Sequence, residues 1–147
     1  MTSQAPTKPY IFASIAALII GTGAYGIGLL NAIMELNEKG YYLITLLYGL
    51  YSVISLQKTI RDKAEGIATT KLYFVISWAS SVIAITLLAI GLVNAEMSLS
   101  EKGFYAMAYT LSLFAAVTVQ KNVRDRQNID ISPPAKTNPQ ATQTVAE

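Results

Sequence analysis

The order of apolar and polar residues divides the chain into four long apolar segments, at roughly 10–33, 41–57, 73–95 and 104–120. A helix that crosses a bilayer takes about 20 apolar residues, within a range of about 17–25. The first and third segments meet this easily. The second and fourth are near the short limit and gain length from their flanks. None holds Asp, Glu, Lys or Arg in its interior. The pattern predicts four transmembrane helices. A soluble four-helix bundle would need a polar stripe along each helix, and ASIAALIIGTGAYGIGLL (13–30) has none. The first segment also lacks the marks of a cleaved signal peptide, which has a basic start and an apolar core of about 7–15 residues. It is too long, and the third segment resembles it.

The segments belong to an internal repeat. Residues 7–62 align with 70–125 without a gap. The strongest part is GLLNAIMELNEKGYY (28–42) against GLVNAEMSLSEKGFY (91–105), followed by LQKTIRD (56–62) against VQKNVRD (119–125). Each repeat reads as a pair of helices joined by a short turn. Two crossings return the chain to its starting side, so the repeats have the same topology, related by an axis along the membrane normal. The expected fold class is an all-α membrane protein of four transmembrane helices built from two tandem two-helix repeats.

Lys and Arg set the expected orientation. Of eleven such residues, nine (Lys8, Lys58, Arg61, Lys63, Lys71, Lys121, Arg124, Arg126 and Lys136) fall on one side, and only Lys39 and Lys102 fall on the other. The excess marks the cytoplasmic side. Both termini and the middle loop are then cytoplasmic, and the two Glu-Lys-Gly turns face outward. The expected organisation is a cytoplasmic N-terminal segment (1–9), a first repeat (10–62), a cytoplasmic linker (63–72), a second repeat (73–125) and a disordered cytoplasmic tail (126–147), which is polar and contains proline.

The doubled pattern N-x-x-x-x-L-x-E-K-G-[YF]-Y, followed by Q-K-x-x-R-D, resembles the YiaA/YiaB family of small bacterial inner-membrane proteins. The first set is Asn31, Leu36, Glu38, Lys39, Gly40, Tyr41, Tyr42, Gln57, Lys58, Arg61 and Asp62. The second is Asn94, Leu99, Glu101, Lys102, Gly103, Phe104, Tyr105, Gln120, Lys121, Arg124 and Asp125. The resemblance covers about 10–125. It implies tandem two-helix domains in a bacterial cytoplasmic membrane, and it implies no activity.

Composition narrows the chemistry further. Of 147 residues, 52% are hydrophobic and 14% charged, against about 25% charged in a typical soluble domain; mean hydropathy is +0.40. With no Cys and no His, thiol nucleophiles, the commonest general base and the usual zinc ligands are excluded. No cofactor is expected. A net charge of +2 gives no basis for nucleic-acid binding.

The polar residues form two candidate sites. The outer one comprises Asn31, Glu38, Lys39 and Gly40 with Asn94, Glu101, Lys102 and Gly103. Asn37 and Ser100 read as N-caps, with Glu38 and Glu101 complementing the positive end of the helix dipole. Gly40 and Gly103 read as spacers for close backbone approach, and Tyr41, Tyr42, Phe104 and Tyr105 as interfacial anchors. Asn31 and Asn94 read as partners for the last carbonyls of their helices. The pseudo-symmetry also predicts a reciprocal exchange, Glu38 with Lys102 and Lys39 with Glu101. The inner site comprises Gln57, Lys58, Arg61 and Asp62 with Gln120, Lys121, Arg124 and Asp125. It reads as a cationic helix end lying in the anionic headgroup layer or meeting a partner. Ala13, Ala17, Gly21, Ala24 and Gly28 form small-residue ridges suited to helix packing.

With no ionisable residue at mid-membrane, the expected function is a non-enzymatic membrane protein acting through lipid or protein partners. Those partners are the bilayer, anionic lipids, another membrane protein or further copies of the chain. The alternatives are a small oligomeric transporter or channel, using Tyr25, Tyr48, Tyr51, Tyr109 and hydroxyl side chains, and an enzyme at the outer headgroup surface using Glu38 and Glu101 as acid and base.

Overall fold

The computed structural model describes residues 4–132. Four helices account for nearly all of them: α1 (Lys8–Asn31), α2 (Leu36–Ala64), α3 (Lys71–Asn94) and α4 (Leu99–Ile131). All four are long and apolar enough to cross a membrane. The second helix of each repeat is the longer, at 29 and 33 residues against 24, because its polar end continues as helix beyond the apolar run. From Leu36 to Asp62 the rise is roughly 40 Å, against a hydrocarbon core of about 30 Å. The charged ends of α2 and α4 therefore project past the apolar layer. Residues 126–131, expected to open a disordered tail, instead extend α4; Asn128 is held to Glu65, and Ser132 closes the helix on the Asn128 carbonyl. The rest of that expected tail lies outside the described residues.

The two repeats interlock. α1 packs mainly on α4, and α3 mainly on α2, while α1–α2 and α3–α4 touch little despite being joined by short turns. α2 and α4, which run in the same direction, form the central pair. Each repeat thus completes the other within one chain.

Small residues permit this packing. A Cβ on Gly28 would come within 2.8 Å of Phe104, and one on Gly91 within 2.6 Å of Tyr41. The glycine in each repeat's first helix thus receives the aromatic pair of the other repeat. Gly21 lies equally close to Ser112. Gly40 and Gly103 differ from expectation: nothing lies within 4 Å of either prospective Cβ. The close approach expected there occurs instead at Gly28 and Gly91.

The outer half of the core is aromatic and aliphatic. Tyr25, Leu29, Tyr42, Leu46, Leu88, Leu92, Tyr105 and Tyr109 are buried together. Tyr42 and Tyr105, expected at the headgroups, are only 4% and 5% exposed, and their rings stack with centroids 6.0 Å apart. Their partners Tyr41 and Phe104 remain partly exposed, as interfacial anchors would. The inner half of the core is polar. Ser14, Ser55, Thr59, Ser77 and Asn122 are buried, and the hydroxyls of Ser14, Thr59 and Ser77 donate to carbonyls on their own helices.

One packing pair differs between repeats in a compensating way. Gly49 faces Tyr109, whose hydroxyl donates to the Thr45 carbonyl at 3.2 Å. At the equivalent repeat positions stand Ser112 and Leu46. Gly49→Ser alone should destabilise the fold by about 1–3 kcal/mol through overpacking. Adding Tyr109→Leu, which copies the Ser112/Leu46 combination, should recover at least half of that loss. Thermal unfolding in detergent micelles measures both; a double variant no more stable than Gly49→Ser would refute the compensation.

Candidate functional site

At the inner ends of α2 and α4 the two Q-K-x-x-R-D motifs meet. Asp62 accepts from Lys58 on its own helix at 2.8 Å and from Arg124 across the pair at 2.5 Å. Asp125 accepts from Lys121 at 3.0 Å and from Arg61 across the pair. The exchange expected of the outer turns is thus made here. Both aspartates are largely buried. Arg61 and Arg124 also converge on Glu65, at 2.7 and 2.8 Å. These arginines, Arg61 foremost, hold the Glu65 carboxyl below the usual carboxylate range. Asn128 donates to the same carboxylate at 3.1 Å. Asn128 lies sixty-three residues after Glu65, at the equivalent repeat position. An amide there avoids placing two carboxylates face to face.

Local sequence positions these groups. The Lys–Asp pairs use i,i+4 spacing. α2 closes at Gly66, whose φ of +73° is the left-handed conformation common after a helix end. The Ile67 amide then returns to the Asp62 carbonyl at 2.8 Å. Of the eight residues expected at this end, six form the network. Gln57 and Gln120 do not, and the Gln57 side-chain oxygen is buried without a protein partner. Glu65 and Asn128 were missed because they lie beyond the matched motif, although the same offset of sixty-three connects them.

At the outer end the caps are Glu35 and Ser98, two residues earlier than the expected Asn37 and Ser100. Ser98-x-x-Glu101 has capping-box spacing, a signal present in the sequence. Glu38 accepts from the Glu35 backbone N–H at 2.9 Å, and Glu101 from that of Ser98 at 2.8 Å. Asn31 and Asn94 donate to the carbonyls of Ile27 and Ile90, closing their own helices. The expected exchange between Glu38/Lys39 and Lys102/Glu101 is absent among the described residues. Lys39 instead donates to the Leu30 carbonyl at 3.4 Å, and Lys102 points into the space between α3 and α4. The reason is that each lysine lies beside the first helix of its own repeat and not against the other repeat's glutamate.

What the outer turns share is a cleft of about 990 Å³. Asn31 and Asn94, Glu38 and Glu101, and Tyr42 and Tyr105 line it from both repeats, with Glu96 and Tyr41 added. No lysine or arginine lines it. Lys39, Gly40, Lys102 and Gly103 lie outside it.

Breaking the inner exchange should weaken the fold. Asp125→Asn should cost about 1.5–3 kcal/mol, the usual worth of hydrogen bonds to charged groups. The swap Arg61→Asp with Asp125→Arg should be more stable than either single change. The outer swap Glu38→Lys with Lys102→Glu should show no such rescue. Chemical unfolding of the five single variants and the two doubles distinguishes the ends.

The family model for the yiaA/B two helix domain matches the chain twice, at residues 10–62 and 73–125. The inner membrane protein YiaA of Escherichia coli (strain K12) is 53% identical over 121 residues, covering 82% of this chain and 81% of that protein. No solved structure matches. Two domain matches in tandem, a relative this similar over most of both lengths, and four helices able to cross a bilayer place the chain as a multi-pass inner-membrane protein of the YiaA/YiaB family.

Proposed function

We propose that this chain is a non-enzymatic membrane protein that acts through partners, receiving a cationic or donor-rich ligand or protein segment in its outer cleft. The observation that carries this reading is the cleft itself, lined by matched carboxylates, amides and tyrosines from both repeats and by no basic side chain. Carboxylates accept from donors and cations, and tyrosine rings attract cations. A non-catalytic role is supported by the duty Glu38 and Glu101 already perform, each accepting from a cap backbone N–H. At the other end Lys58 and Lys121 remain about half exposed, at 53% and 50%, which suits contact with anionic headgroups. The excess of basic residues at that end supports a cytoplasmic placement for it and for both termini.

A second reading, a small oligomeric transporter or channel, draws on the buried hydroxyls and Asn122 in the inner half of the core.

Because the sequence has no Cys, single cysteines report orientation cleanly. In intact cells a membrane-impermeant maleimide should label Asn37→Cys, and should label Ala68→Cys only after lysis; the reverse pattern would overturn the orientation. For function, a photo-crosslinking side chain at Asn94 should capture a partner in cells, and the triple variant Glu38→Gln, Glu96→Gln, Glu101→Gln should lose that adduct. An adduct indifferent to the three carboxylates would sink the cleft reading. Saturable solute flux by purified protein in liposomes would replace it with the transport reading.

A further inference from the structure

Between α3 and α4 lies an apolar groove of about 910 Å³, separate from the outer cleft. Leu88, Leu92, Leu113 and Phe114 line it, and Lys102 stands at its outer end. Along α4 the lining runs from Leu99 to Val117, roughly 27 Å at 1.5 Å per residue. One leaflet of hydrocarbon is roughly 15 Å deep, so the groove has room for an acyl chain starting at headgroup level.

Two differences between the repeats bear on what occupies it. Ala106 and Thr110 stand where the first repeat has Leu43 and Leu47, so less side-chain volume fills this groove than its counterpart between α1 and α2. The lysines also differ. Lys39 is engaged by the last turn of α1. Lys102, partly buried in the groove wall, has no ion pair or side-chain hydrogen bond among the described residues. An unpartnered ammonium above an apolar trough matches a ligand with an anionic head and a hydrocarbon tail. Lysine binds phosphate as a compact point charge.

We propose that the α3–α4 groove is a binding site for one phospholipid, with its acyl chain along Ala106, Thr110 and Phe114 and its phosphate on Lys102. The pseudo-symmetric position between α1 and α2 is not such a site, because its leucines fill the space and its lysine is committed. The site is independent of whatever occupies the outer cleft.

The test uses the full chain in phosphatidylethanolamine–phosphatidylglycerol vesicles doped with a phospholipid carrying a diazirine in its acyl chain. After irradiation, the labelled peptides are mapped. Adducts should concentrate on 85–93 and 106–117 over the equivalent 22–30 and 43–54. Ala106→Leu with Thr110→Leu, which copies the first repeat, should abolish that enrichment. Lys102→Gln should reduce it about fivefold, in line with the contribution of one interfacial lysine, and Lys39→Gln should leave it unchanged. Lys102→Gln alters a single partly exposed group, so it keeps the test decisive if the filled groove unfolds. Labelling spread evenly over the four helices, enrichment that survives the filled groove, or enrichment indifferent to Lys102 would each overturn the proposal.

Discussion

The structure depends on keeping two parallel helices side by side. α2 and α4 run in the same direction, so their negative dipole ends lie together at the inner face. Arg61 answers this as a cation in the last turn of α2, and both Arg61 and Arg124 donate to the aspartate of the opposite helix. At the outer end the same pair is held by neutral groups, the stacked Tyr42 and Tyr105. With the central pair fixed at both ends, α1 and α3 each find a groove on the opposite repeat. The outer cleft then opens between the turns that join them.

The interior changes character along its length in keeping with that division. Near the outer face, tyrosines bury large rings and donate hydrogen bonds to backbone carbonyls, Tyr25 to Tyr42 and Tyr109 to Thr45. Towards the inner face the side chains shrink to Ser and Thr, and the helices come together on polar atoms that bond within their own backbones. Buried polarity of this kind is tolerated in a membrane because hydroxyls such as those of Thr59 and Ser81 have a carbonyl within their own turn.

Much of this was legible in the sequence, and the illegible part has a common cause. Unbroken apolar runs specify spans, and the offset of sixty-three exposes the repeat. A repeat does not reveal whether a motif meets its own copy or the other one, because the two arrangements use the same residues. Hence the reciprocal exchange was expected at Glu38/Lys102, where the letters matched best, and is made at Arg61/Asp125 and Arg124/Asp62. The same ambiguity hid Tyr42 and Tyr105, which read as anchors by position and are core by contact. The conspicuous Gly40 and Gly103 face open space, whereas Gly28 and Gly91, inside the less conspicuous half of the motif, receive the neighbouring repeat's aromatic pair.

The interlock also bears on how the body is assembled. Since α1 and α2 touch little, the first half of the chain gains most of its tertiary structure from α3 and α4. Two separate copies of one repeat, set about the same axis, would still present the same Lys-x-x-Arg-Asp exchange to one another. Among the places where they would differ from the joined chain, a pair of first repeats would bring Glu65 against Glu65, where the joined chain has Glu65 against Asn128. Joining the halves in one polypeptide lets a residue on the axis diverge from its twin, which no symmetric pair of identical halves can do.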